Sequence, residues 1–245
     1  IIPSLIANNA IYLICIEYYY RKQKIKNKKI SYSEAFLSRV DTLRLGIYIV
    51  TAGFIGVLSM FIIRSFLAKT VDIDTAGLFQ STWVITNVYL GLILKSMGSD
   101  FYPRLSAIAE EKDKVKSLVN EQSYIVLVIA SPIIIGMLLF SGLVLSILYS
   151  SEFVAAQSLL RWMILGTFIK VLCWPVSFIL LAKNKGLLFL LTEAIFYLVF
   201  LLSSYFLYPE YGLDAIGIGY LIAYIIYLPV IYFMGYKLSE FRWKG

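Results

Sequence analysis

The sequence predicts an all-α integral membrane protein, a polytopic bundle of about seven transmembrane helices. Hydrophobic residues make up 60% of its 245 residues, well above the roughly 45–50% of soluble domains. They form runs about twenty residues long, and nearly every Lys and Arg lies in alternate gaps between these runs. Because the runs do not alternate between apolar and polar residues, they predict helices rather than the strands of a membrane barrel.

Seven apolar runs are long enough to cross a hydrocarbon core of about 30 Å as helices. They cover about 3–20, 44–66, 76–96, 122–143, 157–182, 187–208 and 213–236. The amphipathic pattern of residues 105–119 predicts a surface helix that leads into the fourth run. Pro103, just before this pattern, suits the first turn of that helix. Residues 143–156 predict a short interfacial turn. Since the chain starts at Ile1, directly at the first run and without a basic leader, we expect it to be a fragment that lacks earlier membrane helices.

The distribution of basic residues predicts the orientation of the helices. Eighteen of the 22 Lys and Arg residues lie in the gaps 21–44, 95–121 and 183–186 or in the tail after residue 236. The positive-inside rule places these gaps and the C-terminus in the cytoplasm. Topology and attraction to anionic membrane lipid account for the net charge of +7, so we predict no nucleic-acid partner.

The sequence argues against most catalytic chemistry. It contains no His, and its two thiols, Cys15 and Cys173, lie in different runs without metal-ligand spacing. No glycine-rich phosphate loop is present, and the hydrophilic gaps are too short to form catalytic domains. We therefore predict a protein that is not an enzyme, with no catalytic residue, no metal and no cofactor.

Three short segments carry a resemblance to a known family. Residues 74–80 read Asp-Thr-Ala-Gly-Leu-Phe-Gln, residues 101–106 read Phe-Tyr-Pro-Arg-Leu-Ser, and residues 181–186 read Leu-Ala-Lys-Asn-Lys-Gly. Their order and spacing resemble the C-terminal half of bacterial polysaccharide flippases, which serve O-antigen, capsule or teichoic acid synthesis. These flippases belong to the multidrug/oligosaccharidyl-lipid/polysaccharide exporter superfamily.

The resemblance implies two six-helix lobes around a central cavity in the bacterial cytoplasmic (inner) membrane. The chain would supply the last helix of a missing N-terminal lobe (1–20), a basic cytoplasmic linker (21–43), a six-helix C-terminal lobe (44–236) and a cytoplasmic tail (237–245). The implied substrate is an undecaprenyl-diphosphate-linked oligosaccharide, which alternating access moves from the cytoplasmic to the outer leaflet. The implied protein partners are the polymerase and chain-length proteins of the same pathway.

Lys170 is the strongest candidate for a substrate-binding residue. It lies near the middle of the run 157–182, where a charge is costly and therefore suggests function. Ser177 follows at i+7 on the same helix face, and Glu193 in the next run is a candidate for coupling or gating. Two interpretations remain open, a cavity cation that binds the diphosphate or a structural pair with Glu193. One pair could also serve both purposes, closing the cavity until substrate or a proton separates it.

Five further residues complete the candidate binding set. Arg161 and Arg64 lie toward the outer ends of their runs, where they could contact substrate or anchor the helices at the interface. Gln80, Trp83 and Asn87 follow one another at i, i+3 and i+7 and therefore share one helix face. Their amide and indole groups could contact sugars or form interhelical hydrogen bonds.

Two prolines inside the runs, Pro132 and Pro175, are candidates for gating. Each removes a backbone hydrogen bond and can kink its helix, which suits a lobe that bends between two states. Transmembrane helices also tolerate proline without such a role.

Two alternative functions compete with the flippase. A drug/cation antiporter of the same superfamily would build its cation site from acidic residues, whereas cations predominate inside these runs. A membrane polysaccharide polymerase or glycosyltransferase would need a large outer loop or an acid-rich catalytic loop, and the sequence has neither.

Overall fold

The computed structural model describes residues 11, 13–15, 17–18 and 32–243. The chain divides into two compact units, Ile1–Val40 and Asp41–Gly245, and every candidate site residue lies in the second. The predicted first span, 3–20, lies largely outside the described residues, as does the first half of the predicted linker, 21–31. The rest of the predicted linker, 32–43, belongs to a helix that begins at Tyr32.

Between residues 32 and 243 the chain forms eight α-helices and no strand. The helices are α1 (Tyr32–Thr70), α2 (Ile73–Trp83), α3 (Leu90–Ala107), α4 (Lys112–Leu139), α5 (Ser141–Leu148), α6 (Gln157–Ala182), α7 (Gly186–Tyr211) and α8 (Asp214–Ser239). A π-helical turn, Val84–Tyr89, joins α2 to α3, and a 3₁₀ helix, Ser151–Ala156, precedes α6. This architecture confirms the predicted all-α polytopic class.

Six helical segments among the described residues are long and apolar enough to cross a membrane. They are Thr42–Thr70, Ile73–Ala107, Lys112–Leu139, Ser151–Ala182, Gly186–Tyr211 and Asp214–Ser239. Each contains one of the six predicted runs after residue 43 or most of it, so the apolar pattern located these helices correctly. Because the helices alternate in direction, the loops 108–111 and 183–185 lie at the same end as residues 240–243. We call this end of the second unit the basic end.

Two local predictions were wrong. Pro103 lies inside α3, just before its last turn, and α4 starts at Lys112, so the predicted surface helix 105–119 is divided between these two helices. At the opposite end, residues 143–156 are helical over most of their length rather than a simple turn. The first error arose because charged residues continue a helix beyond its apolar run, and the second because residues 143–148 are themselves largely apolar and form a helix of their own.

Small residues on α8 allow its close approach to two neighbouring helices. A Cβ atom added to Gly217 would lie 2.9 Å from the carbonyl oxygen of Leu159 on α6. One added to Gly219 would lie 2.6 Å from Ser204 Oγ and 2.9 Å from the backbone nitrogen of Ser204 on α7. Membrane helices associate through such small residues because lipid supplies no hydrophobic force between them. Helix α8 is therefore fixed against α6 and α7, the two helices that carry the intramembrane charges.

The substitution Gly219→Ala tests this packing. We expect it to destabilise the protein by about 1–3 kcal/mol, because the added methyl group meets backbone atoms that cannot rotate away. Gly136→Ala is the control, since no atom lies within 4 Å of the added Cβ at that position. Thermal unfolding in detergent measures the difference, and equal melting temperatures for the two variants would contradict the close approach of α7 and α8.

The residues after α8 form a strap, 240–243, that folds back onto α4. Glu240 Oε1 accepts a hydrogen bond from Lys112 Nζ at 2.6 Å, and Asn120 Nδ2 donates one to the carbonyl oxygen of Arg242 at 3.0 Å. Between them the Phe241 side chain is completely buried. Apolar burial and polar contacts together hold the strap against the basic end of α4.

The substitution Glu240→Gln tests the polar part of the strap. We expect backbone hydrogen exchange of residues 240–243 to become several-fold faster at neutral pH, because the charge that pairs with Lys112 is lost. Glu111→Gln is the matched control, since it removes another exposed carboxylate of the same surface, one that pairs with Lys114 at 2.7 Å and not with a partner of Glu240. Equal exchange in the two variants would show that the charge of Glu240 does not help to hold the strap.

The pH dependence of the same contact has a definite sign. The hydrogen bond and the charge of Lys112 lower the pKa of Glu240 in the folded protein. The contact is therefore fully present above the usual pKa of a glutamate and is lost as the pH falls through the lowered pKa. Protonation in that acidic range should reproduce the faster exchange of the Glu240→Gln variant.

Candidate functional site

Two cavities meet at Lys170. The larger cavity measures about 610 Å³ and lies among α1, α3 and α6, with Lys95 and Tyr102 toward its basic end. The inner cavity measures about 150 Å³ and lies among the π-helical turn, α6, α7 and α8. Lys170 and Trp174 line both cavities, so one cation lies at their junction.

Lys170 is half-buried at mid-membrane depth, thirteen residues after the start of α6 and twelve before its end. Its Nζ donates a hydrogen bond to Asn87 Oδ1 at 2.8 Å. Tyr220 OH donates a second hydrogen bond to the same oxygen at 3.1 Å. Asn87 therefore accepts from both α6 and α8 and orients the ammonium group between the two cavities.

The π-helical turn places Asn87 in this position. A π-helical turn holds more residues per turn than an α-helix, and such turns are frequent at functional sites. The turn occupies Val84–Tyr89, and Asn87 Nδ2 donates within it to Thr86 Oγ1 at 3.1 Å. The buried Thr86 hydroxyl donates in turn to the carbonyl oxygen of Thr82 at 2.8 Å. These local bonds fix the amide so that its oxygen faces Lys170.

Glu193 lines the inner cavity opposite Lys170 but has another partner. Tyr227 OH donates to Glu193 Oε1 at 2.9 Å. Among the ion pairs of the described residues none joins Lys170 to Glu193. A direct structural pair of these two residues, one of the interpretations left open by the sequence, is therefore not formed in this structure. The inner cavity instead holds an ammonium and a carboxylate group on separate hydrogen-bonding partners.

Aromatic rings form much of the inner wall. Trp83 packs edge-on against Tyr220, with ring centroids 5.9 Å apart, and Phe196 packs against Tyr224 at 4.4 Å. Trp83, Phe196 and Tyr224 line the cavity, and the buried Tyr220 packs behind Trp83 without lining it. Aromatic faces beside a few convergent polar groups are typical of small-molecule sites. Sequence analysis named only Trp83 of this wall, because tyrosines spaced along α8 look like ordinary packing residues before the fold is known.

Three of the other candidate binding residues lie away from Lys170 and Asn87. Arg64 Nη1 donates to Gln80 Oε1 at 2.9 Å, and this half-buried pair joins α1 to α2. Arg161 is exposed and donates from Nε to Ser141 Oγ at 2.9 Å. Neither pair lines the larger or the inner cavity. These contacts connect helices toward the end opposite the basic end.

Of the remaining candidates, Ser177 and Pro175 lie at or beside the inner cavity and Pro132 does not. Ser177 is buried and lines the inner cavity, where its hydroxyl donates to the carbonyl oxygen of Trp174 at 2.7 Å. Pro175 is buried within α6 beside Trp174, whereas Pro132 is exposed on α4. The structure thus brings together Lys170, Asn87, Trp83, Ser177 and Glu193, with Pro175 in the adjacent helix wall.

These features define a polytopic membrane protein with one cation at the junction of two intramembrane cavities. The chain belongs to the polysaccharide biosynthesis protein family, whose sequence profile matches residues 3–158. This match confirms the family indicated by the sequence motifs, two of which lie within the matched range.

Curated relatives give the same picture. The chain is 24% identical over 167 residues to the lipid III flippases of Escherichia coli (strain K12) and Shigella flexneri, which covers 68% of this chain and 40% of each relative. It is 30% identical over 138 residues to a candidate O-antigen transporter of Shigella flexneri, covering 56% of this chain and 33% of that protein. The chain thus spans about 40% of the length of the curated flippases that it matches. No solved structure gives a significant match.

The role of Asn87 as a shared acceptor leads to a prediction. Asn87→Ala leaves the Lys170 ammonium and the Tyr220 hydroxyl without this acceptor, and a hydrogen bond to a charged group contributes about 1.5–3 kcal/mol. We expect a loss of stability of about that size in detergent. Asn87→Asp keeps an acceptor oxygen and should retain most of the stability.

Thr51→Ala is the control for the loss of a polar group, because its exposed hydroxyl bonds only within α1, to the carbonyl oxygen of Ile47. Thermal unfolding under the same detergent compares the three variants. An Asn87→Ala protein as stable as Thr51→Ala would show that Lys170 does not depend on this amide.

Proposed function

We propose that this chain forms the C-terminal lobe of a flippase that carries an undecaprenyl-diphosphate-linked oligosaccharide from the cytoplasmic to the outer leaflet for cell-surface polysaccharide synthesis. Family membership and the names of the curated relatives support the general activity. The single observation that carries the proposal is the position of Lys170. A half-buried cation at mid-membrane depth faces two cavities, which is the arrangement that a lipid-linked anion needs.

The chemistry of such a carrier follows from the residues present. Lys170 would neutralise part of the diphosphate charge, since a bare anion in the hydrocarbon core is very costly. Asn87 and Tyr220 would hold the ammonium in place before the substrate arrives, so that little ordering is required on binding. Trp83 and the tyrosines of α8 would offer flat apolar faces to sugar rings, and Ser177 a hydroxyl.

Movement would follow alternating access, in which the substrate is exposed first to one side and then to the other. Glu193 and Pro175 are the proposed coupling and gating residues of this lobe. Glu193 lies close enough to Lys170 to share its cavity, and Pro175 interrupts the backbone hydrogen bonds of the helix that carries Lys170. We retain Pro132 as a second bending point, on the exposed face of α4.

The proposed topology places the basic end in the cytoplasm, with a cytoplasmic C-terminus and the division 1–20, 21–43, 44–236 and 237–245. Arg64, Gln80 and Arg161 would then lie toward the outer leaflet, where they are proposed to contact the substrate after it has passed Lys170. Polymerase and chain-length proteins remain the proposed partners that receive the flipped substrate.

Complementation of a bacterial strain that lacks its own oligosaccharide flippase tests the function. We expect Lys170→Ala in the natural protein to lower surface polysaccharide by about tenfold or more, because a charge-assisted contact worth about 1.5–3 kcal/mol is lost. Lys170→Arg keeps the charge and should retain activity. Lys69 is an exposed cation in the last turn of α1, at the end opposite the basic end. Lys69→Ala should therefore behave like the unmutated protein.

Membrane abundance, measured by immunoblot, separates lost transport from lost protein. Full activity of Lys170→Ala at normal abundance would remove Lys170 from the site. If the unmutated protein fails to restore polysaccharide and instead lowers the accumulation of a cationic drug, the antiporter function replaces the flippase.

A further inference from the structure

A separate pocket of about 370 Å³ lies at the basic end, between the start of the α1 span and the turn that joins α6 to α7. Arg44, Tyr48, Asn184 and Lys185 supply its polar lining. None of the described residues that line it is acidic. It shares no lining residue with the larger or the inner cavity, so it is not part of the proposed transport site.

The cations of this pocket are held in position by the fold. Arg44 Nε donates to Tyr48 OH at 3.1 Å, and its guanidinium lies 5.9 Å from the centre of the Tyr48 ring. Lys185 follows Asn184, whose positive φ of 55° closes the tight turn after α6. A Cβ atom added to Gly186 would lie 2.7 Å from Tyr48 Cδ2, so α1 and the turn pack too closely here for a larger residue. This packing keeps Arg44 and Lys185 in the lining of the same pocket.

The other half of the pocket is apolar. Leu45, Leu187 and Leu188 complete its lining. The spans Thr42–Thr70 and Gly186–Tyr211 both begin at this level, which places the pocket where hydrocarbon gives way to headgroups. A ligand that matches such a pocket carries a negative charge at one end and an apolar chain at the other.

We infer that this pocket binds the phosphate group of an anionic membrane lipid, between Arg44 and Lys185, with the start of an acyl chain against Leu45, Leu187 and Leu188. Arg binds phosphate oxygens through paired N–H donors, and Lys adds a second positive charge. The start of α7 reinforces the positive potential, since its first N–H groups have no intrahelical acceptor and Lys185 makes no side-chain cap. A lipid bound there would join α1 to the turn between α6 and α7.

Equilibrium binding of acyl-labelled phosphatidylglycerol to the purified protein in a neutral detergent tests the inference. Near a membrane surface each cation contributes about 1 kcal/mol, so we expect Arg44→Ala and Lys185→Ala each to weaken binding about fivefold, and the double variant about thirtyfold. Lys237→Ala, which removes an exposed cation of the same end outside the pocket, should leave the affinity unchanged. Arg44→Ala also breaks the hydrogen bond between Arg44 and the Tyr48 hydroxyl, and Tyr48→Phe controls for the loss of that bond.

Five comparisons decide the outcome. Unchanged affinity in the double variant, or an equal loss in Lys237→Ala, would overturn the inference, as would equal binding of labelled phosphatidylcholine. Displacement of the lipid by millimolar inorganic phosphate alone would assign the pocket to free phosphate instead of lipid and would overturn the lipid source. An affinity of Arg44→Lys between those of the unmutated protein and Arg44→Ala, with normal thermal unfolding of every variant, would support it, because Lys keeps the charge but not the paired N–H donors. None of these measurements involves transport, so their result is independent of the proposed flippase activity.

Discussion

An ammonium group halfway along a transmembrane helix needs an acceptor, and the arrangement of the whole site follows from how Lys170 obtains one. The acceptor, Asn87, lies on a different span and is oriented by a π-helical turn. Tyr220 from a third span shares the same oxygen. Three spans are thus held in register by one amide. Because a half-satisfied polar group in an apolar interior is costly, the loss of any one member weakens the positions of the other two.

Most of the fold could be predicted from the sequence, because the membrane imposes a simple rule on helix length. The apolar runs located all six described spans. The distribution of Lys and Arg distinguished the loops at the basic end from the loops at the opposite end. The helix ends were less predictable. Lys112 begins a long helix and Pro103 lies near the end of another, because backbone hydrogen bonding continues into polar residues where lipid no longer requires apolar ones.

The candidate site was predictable in its charges but not in its geometry. Lys170 and Glu193 stand out in any apolar run because burial of a charge is costly. The tyrosines around them do not stand out. Tyr220 and Tyr227 are two of 19 tyrosines, and only the packing of α8 shows that their hydroxyl groups donate to Asn87 and Glu193. The π-helical turn could not be predicted from residue spacing. Because it adds about one residue to the turn, every later side chain lies on a different face from the one that α-helical spacing predicts.

The position of Lys170 at the junction of two cavities has a thermodynamic consequence. Lys95 also lines the larger cavity, but Lys170 is the one cation among the described residues that lines both, so an anionic group beside it in either cavity would draw on the same positive charge. Once the first group has neutralised it, the second gains less, and by linkage the penalty is identical in whichever order the two bind. Simultaneous occupation is therefore negatively cooperative, and a multiply charged ligand would pass from one cavity to the other rather than fill both.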